Sequence, residues 1–413
     1  MSKKRVVVTG IGTINAVGHN VKETWQNLLD GKSGIARITH FDTEDFASKI
    51  GAEVKNFDAT NYLTKKEIKK IDLYAIYAII AASEAIADSG FTKDENYDPY
   101  KAGCITGAGI GGMLAFEDEV RKLVAKGPKR VSPHFIPKMI CNIGAAHIAI
   151  KNNLKGINFN CSSACASANH AIGTSFRAIQ YGDADIIVTG GSEASVTPLA
   201  VAGFANMKAL STRNDDPQKA SRPFDKERDG FVVGEGAGIL VLEEYEHAKN
   251  RGAKIYAELV GYAATDDSYH VTAPAPDGNA GIVAIQNALS DANIGIKDID
   301  YINAHGTSTP PNDRTETLII RKVFGEYADS INVNSTKSMT GHCLGGAAAI
   351  EAIVCCKSIE TGEIHPTINL ENPDPDCDLN YTPNTKIKRN VKFALSTSLG
   401  FGGHNATIIF KKI

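Results

Sequence analysis

A cysteine, two histidines and a lysine are the residues of this chain whose types and surroundings could do chemistry. Cys165 stands in NFNCSSACASANHAIGTSFRAIQYGD, residues 158–183. His305 stands in NAHGTSTPPND, Lys337 and His342 stand in NSTKSMTGH, and SLGFGGHN sets flexible backbone around Phe401. A cysteine thiolate attacks carbonyls and thioesters, and histidines can donate or accept protons for it. Such a nucleophile has to be positioned. Beyond Cys165, Ala168, Ile172, Phe176 and Ile179 fall along one helical face and Gly182 supplies a stop, so the spacing predicts a helix with Cys165 at its N-terminus. The unpaired N–H groups and the positive dipole end there favour thiolate over thiol. The three other loops each follow a strand-like run, which is where α/β folds hold their working groups.

Composition narrows the function classes. With 413 residues, 43% hydrophobic and 22% charged, the chain can bury more than one core layer. A formal net charge of −3 offers no general field for nucleic acid or membrane, so a charged partner must be met by a local patch. MSKKRVVVTGIGTI lacks the long apolar core of a secretory signal, and no run is long and apolar enough to span a bilayer. The eight cysteines form no disulfide pattern, which fits a reducing, cytoplasmic setting. Cys161 and Cys165 have no second pair at ligand spacing, so no metal is expected.

Several stretches read as scaffold. A strand Arg5–Gly10 feeds GIGTINAVG, a poor match to a dinucleotide-binding loop, and GAGIGGM at 107–113 reads as a tight turn where neighbours approach closely. LTKKEIKKIDLYAIYAIIAASEAIADSG reads as one long helix whose start carries Lys65, Lys66, Lys69 and Lys70, either a solvated face or a dock for an acidic partner. Ser211–Asp229 reads as a long ordered loop, and Phe231–Glu243 as paired strands joined near Gly234–Gly238. The helix and strand units of the first half recur in outline in the second. That repetition predicts two similar α/β halves, 1–250 with the nucleophile and 251–413 with the histidines and lysine, packed around a cleft.

In this order and spacing, ACASANHAIG, NAHGTSTPPND, NSTKSMTGHCLGG and GFGGHN resemble the beta-ketoacyl-acyl carrier protein synthases of the thiolase fold, nearest the type II elongating synthases, and the resemblance covers practically the whole chain. It implies a layered αβαβα sandwich of duplicated halves and a decarboxylative condensation between malonyl-acyl carrier protein and an acyl group carried on Cys165, with no metal or redox cofactor. It further implies His305 and His342 as the paired catalytic histidines, Lys337 beside them and Glu351 as the partner of that lysine. The N–H groups of Cys165 and Phe401 would form the oxyanion hole. Phe401 would also gate the site, Ile110 would line the acyl pocket, and Thr307 and Thr309 would bind pantetheine. The resemblance also implies an acyl carrier protein as partner, docked on Lys65, Lys66, Lys69 and Lys70 with Lys208 and Arg213 near the same entrance, and a homodimer. The alternative is a catalytic ketosynthase subunit of a type II polyketide or aryl polyene system, paired with a chain-length factor. Cys343 after His342, and Lys138 after Pro137, depart from the commonest family pattern and bear on chain length and pathway.

Overall fold

The structure, a computed structural model, describes residues 3–91 and 97–413. Among the described residues ten strands make the main sheet: β1 Val6–Asn15, β2 Ala102–Gly107, β3 Asn158–Cys161, β4 Ile186–Ala194, β5 Glu235–Glu244, β6 Ala257–Asp266, β7 Tyr301–Asn303, β8 Asn332–Asn334, β9 Phe393–Gly400 and β10 His404–Lys411. Their spatial order is β8-β7-β9-β10-β6-β1-β5-β4-β2-β3. Outward from the centre, β1-β5-β4-β2-β3 and β6-β10-β9-β7-β8 repeat one pattern, two antiparallel pairings followed by two parallel ones. The halves join where Val6–Val8 of β1 pairs with Ala257–Leu259 of β6.

Helices complete the layers. α1 Leu73–Ser89 packs on β1, β4 and β5, with α3 Ile143–Asn152 beside it; α2 Met113–Lys126 lies between them in sequence. On the second half, α5 Asn279–Asp291 packs on β6 and β10, with α6 Pro310–Phe324 against α5. α4 Ser167–Tyr181 and α7 Ala347–Thr361 lie between the two half-sheets and touch strands of both. This is the expected αβαβα sandwich. An amphipathic stripe suits an outer helix, whereas α7 buries residues around its whole circumference, as a helix covered on both faces must. No helix among the described residues is long and apolar enough to cross a membrane.

The structure corrects three local expectations. The strand does not stop at Gly10: β1 runs to Asn15, and its glycines serve packing. A Cβ on Gly10 or Gly12 would meet the carbonyl oxygen of Ala85 or Ala81 at 2.1 Å, so only glycine lets α1 lie this close to the strand. The long lysine-bearing helix is two helices. Thr64 and Glu67 make a capping box on a single turn, Lys65–Ile68, and Asp72 then caps α1 afresh by accepting the N–H of Tyr74. Phe231–Glu243 is not a hairpin, because the one strand β5 fills the gap between β1 and β4 and pairs with both. Local pattern cannot tell a hairpin from a strand paired on both sides by distant segments.

Candidate active site

Each predicted group reaches the cleft from the end of a strand or the start of a central helix. After β3 the chain turns at Ala164, with φ at 50°, and a short 3-10 turn, Ala164–Ala166, sets Cys165 at the entrance of α4. Ala168, Ile172, Phe176 and Ile179 are buried as their spacing requires, and Gly182 closes α4 in the left-handed region. His305 follows β7. Lys337 and His342 follow β8, and Phe401 caps β9.

These elements bring the four side chains into one buried chain of contacts. His342 Nε2 lies 3.0 Å from Cys165 Sγ, and the His305 and His342 rings stand edge to face with centroids 5.3 Å apart. Lys337 Nζ is 3.3 Å from His305 Nδ1, and its other contact is the carboxylate of Glu351. Because an ammonium can only donate, Nδ1 of His305 must accept, which leaves its proton on Nε2, facing the cleft. His342 Nδ1 has no hydrogen-bond partner among the described residues, so nothing locks that ring in one tautomer.

Electrostatics keeps both rings neutral. Burial, then the Lys337 charge, then His342 hold His305 well below the usual imidazole range, and burial followed by Lys337 does the same for His342. The cysteine departs from expectation. Burial raises the Cys165 thiol to about 11, although Lys337 and the backbone N–H of Phe401 pull it down. The helix start is therefore not enough to ionise a sulfur this thoroughly desolvated, and the resting group is a thiol. The N–H groups of Phe401 and Cys165 both act on the sulfur, as donors flanking the reacting atom would. The ligating atoms of Cys165, His305 and His342 lie within 4.8 Å of one another, a reach that would also suit a metal, but the neighbouring ammonium of Lys337 repels a cation there.

The cleft has a volume of about 510 Å³ and a mainly apolar lining that includes Cys165, both histidines, Ile110, Phe401 and Thr307. Thr309 also lines it, and the two threonine hydroxyls are hydrogen-bonded at 2.9 Å. Lys208 sits at its rim with φ at 57°. Lys65, Lys66, Lys69 and Lys70 are exposed but do not line the cleft, and Arg213 is half-buried and bonded to the carbonyl of Glu227 at 3.2 Å.

Sequence reading missed several residues here. Glu316 of α6 accepts the N–H groups of His305 at 2.7 Å and Gly306 at 2.8 Å, and the Thr397 hydroxyl at 2.7 Å, which fixes the His305 loop. The His342 ring rests edge to face on Phe231, which in turn contacts Phe204. A lone glutamate in a polar helix, or a phenylalanine beside a glycine loop, carries no local signal of such contacts.

Comparison with known proteins places this geometry among relatives. The sequence profile of the beta-ketoacyl synthase N-terminal domain matches residues 3–248, and that of the beta-ketoacyl synthase C-terminal domain matches residues 256–371. The chain is 52% identical over 414 aligned residues to the 3-oxoacyl-[acyl-carrier-protein] synthase 2 of Synechocystis sp., covering 100% of this chain and 99% of that one. Among solved structures, a type II PKS ketosynthase in complex with its acyl-carrier protein is 39% identical with TM-score 0.92, each chain covered completely. The ishigamide ketosynthase/chain length factor is 36% identical with TM-score 0.93, likewise over the full length of both chains.

Proposed function

This chain belongs to the beta-ketoacyl synthase family, in its type II elongating class, and from that premise we propose how its own residues carry out the condensation. The reading rests chiefly on the contact chain Glu351–Lys337–His305, with His342 Nε2 3.0 Å from Cys165 Sγ. In the first half-reaction Cys165 Sγ attacks the thioester of an acyl-acyl carrier protein. Its proton passes through His342 Nε2 to the departing pantetheine sulfur, and the N–H groups of Cys165 and Phe401 hold the developing oxyanion, an effect of about 3 kcal/mol per donor. A neutral, unlocked His342 ring can present a lone pair at Nε2 for that transfer.

In the second half-reaction a malonyl thioester loses CO2, and the electron pair of the broken bond forms an enolate. The Nε2–H of His305, set by Lys337, and that of His342 donate to the enolate oxygen. The α-carbon then attacks the acyl-Cys165 carbonyl, the C–S bond to Cys165 breaks, and the released thiolate takes up a proton from water. Neutral donors suit this step because nothing has to be deprotonated first. Thr307 and Thr309 bind the pantetheine arm, Ile110 lines the acyl channel, and Phe401 gates entry. Reconstitution with acyl- and malonyl-acyl carrier protein tests the reading: a beta-ketoacyl product two carbons longer than the acyl donor is expected, and its absence with a folded protein rejects the assignment.

The acidic carrier protein docks on Lys65, Lys66, Lys69 and Lys70, a cluster displayed on one turn and its exit, with Lys151 of α3 near enough to act on Glu67 of that turn, and with Lys208 at the cleft and Arg213 in the loop beyond it. Attraction over this patch is mainly steering, screened by salt within about 10 Å. Reversing Lys69 and Lys70 to Glu should raise KM for carrier-protein substrates at low salt and leave the rate with small acyl-pantetheines unchanged. Equal loss with both substrate types would mean a damaged fold, and no loss would return the lysines to a solvated face.

The halves 1–250 and 251–413 are proposed as the two structural units, and a second copy of the chain as the partner. α2 is inside out for a solvated helix: Glu117 and Glu119 are buried, while Leu123 and Val124 are 46% and 83% exposed. Glu117 accepts the N–H of Leu199 at 2.8 Å and Glu119 that of Ser132 at 2.8 Å, so the acids are turned inward to bond backbone and the apolar residues outward. β3 ends the main sheet with an edge that has no strand partner among the described residues. Leu123→Asp with Val124→Asp should convert a homodimer to monomer in sedimentation. A parental chain that is monomeric until a different ketosynthase-like chain is added would favour the polyketide or polyene alternative.

A further inference from the structure

The glycine loop at 107–113 encloses a carboxylate of the chain itself. Glu193, near the end of β4 and fully buried, accepts the N–H of Gly109 at 2.8 Å, of Gly111 at 3.0 Å and of Ile110 at 3.2 Å. On Oε2, the oxygen that Gly109 also reaches, it accepts the N–H of Gly345 at 3.1 Å. Successive backbone donors of this kind form a nest, and here its occupant is a carboxyl group of the chain itself, raised by burial to about 7 against the pull of the N–H groups.

Gly345 occupies in the second half the place that Cys165 occupies in the first. Ala164 and Leu344 both have positive φ, 50° and 42°; each opens a 3-10 turn that leads into a central helix, and the helices end on left-handed Gly182 and Gly362. A Cβ on Gly345 would lie 2.3 Å from Gly109 N and 2.8 Å from Glu193 Oε2. The second elbow thus has no room for a nucleophile, and its N–H is used to hold Glu193.

The clamped segments carry two walls of the cleft. Ile110 belongs to the glycine loop and Leu344 adjoins Gly345, and both line the cavity that holds Cys165. We propose that Glu193 is a positioning residue for acyl-chain selection: by tying Gly109–Gly111 to Gly345 it holds Ile110 and Leu344 at one separation and so sets the bore open to the chain carried on Cys165. This rests on the reading of the cavity as an acyl channel. Glu193 touches neither the thioester nor the enolate, so its effect falls on which acyl chains are accepted rather than on the chemistry of malonyl groups.

The test compares the parent with Glu193→Gln, which replaces one accepting oxygen by an amide that can only donate, and Glu193→Asp, which keeps both oxygens one methylene short of the nest. Measured quantities are kcat/KM for a short-chain and a long-chain saturated acyl-acyl carrier protein, malonyl decarboxylation without an acyl donor, and thermal unfolding. The ratio of the two kcat/KM values should shift about tenfold, the scale of a misfit of one or a few methylenes, while decarboxylation stays within about twofold of the parent. In an Ile110→Ala background the Glu193→Gln shift should shrink, because the wall it acts through is already gone. Proportional loss with every chain length, an unchanged ratio, an undiminished shift in the Ile110→Ala background, or failure of both variants to fold would each overturn the proposal. A parent that neither decarboxylates malonyl groups nor becomes acylated on Cys165 would reject the condensing reading itself, which the Glu193 variants cannot do.

Discussion

Cys165→Ala is expected to abolish acyl transfer and condensation, by about 10⁵-fold, while malonyl decarboxylation continues. The two halves of that expectation come from different parts of the site. Acyl transfer needs the sulfur, and the other cysteines that reach the surface at all, Cys141 and Cys161, do not line the cleft. Decarboxylation needs only donors to the enolate oxygen; Glu316 and Glu351 hold His305 and Lys337, and the His342 ring keeps its edge-to-face contact with Phe231 when its hydrogen bond to Sγ is lost. Intact-mass analysis after incubation with acyl-acyl carrier protein checks the first half, and CO2 release from malonyl-acyl carrier protein checks the second. Acylation that persists in the variant would remove Cys165 from the mechanism. With the thiol raised to about 11, the protonated form prevails at neutral pH, so iodoacetamide labelling of parental Cys165 should quicken about tenfold per pH unit from 7 to 9. A rate flat across that range would show that the sulfur is already ionised.

His305→Ala is expected to lower decarboxylation by about 10²- to 10³-fold, the scale of one lost donor to a developing oxyanion, and to leave acylation of Cys165 measurable. His342→Ala should match that loss of decarboxylation and also slow acylation, because of the two rings His342 is the one hydrogen-bonded to Sγ. The pH dependence follows from the signs. Both rings are needed neutral, and both are held well below the ordinary imidazole range, so lowering the pH through 6.5 should not switch decarboxylation off. Lys337→Ala removes a cation that disfavours imidazolium in each ring and should move the acid limb of the profile upward. Either histidine variant decarboxylating at the parental rate would refute its role, and an acid limb unmoved by Lys337→Ala would refute that of the lysine.

The lysine-bearing turn shows where local pattern stopped being informative. Hydrophobic periodicity runs through Ile71 and Asp72 without a break, yet Asp72 is drawn out of the helix to cap α1 and to accept the N–H of Ala115 at 2.7 Å. That second partner is 43 residues away, and nothing near Asp72 announces it. The same holds for Glu193 and Glu316, whose roles consist of backbone donors supplied by distant loops.

What the amino-acid order determined by itself was the duplicated α/β plan and the set of candidate groups that the fold brings together. Cys165, His305, Lys337 and His342 each lie within a short motif, and the period of the apolar residues in α4, together with Gly182, is a local property that survives in the folded chain. Tertiary structure decided the rest. It set the 3.0 Å between Cys165 and His342, residues 177 positions apart in the chain, and the locked tautomer of His305. It also decided the ionisation of the thiol, where burial outweighs the helix start, and the clamp at Glu193. Distances between remote segments, and the desolvation that follows from packing them together, are sums over the whole fold, so no window of sequence contains them.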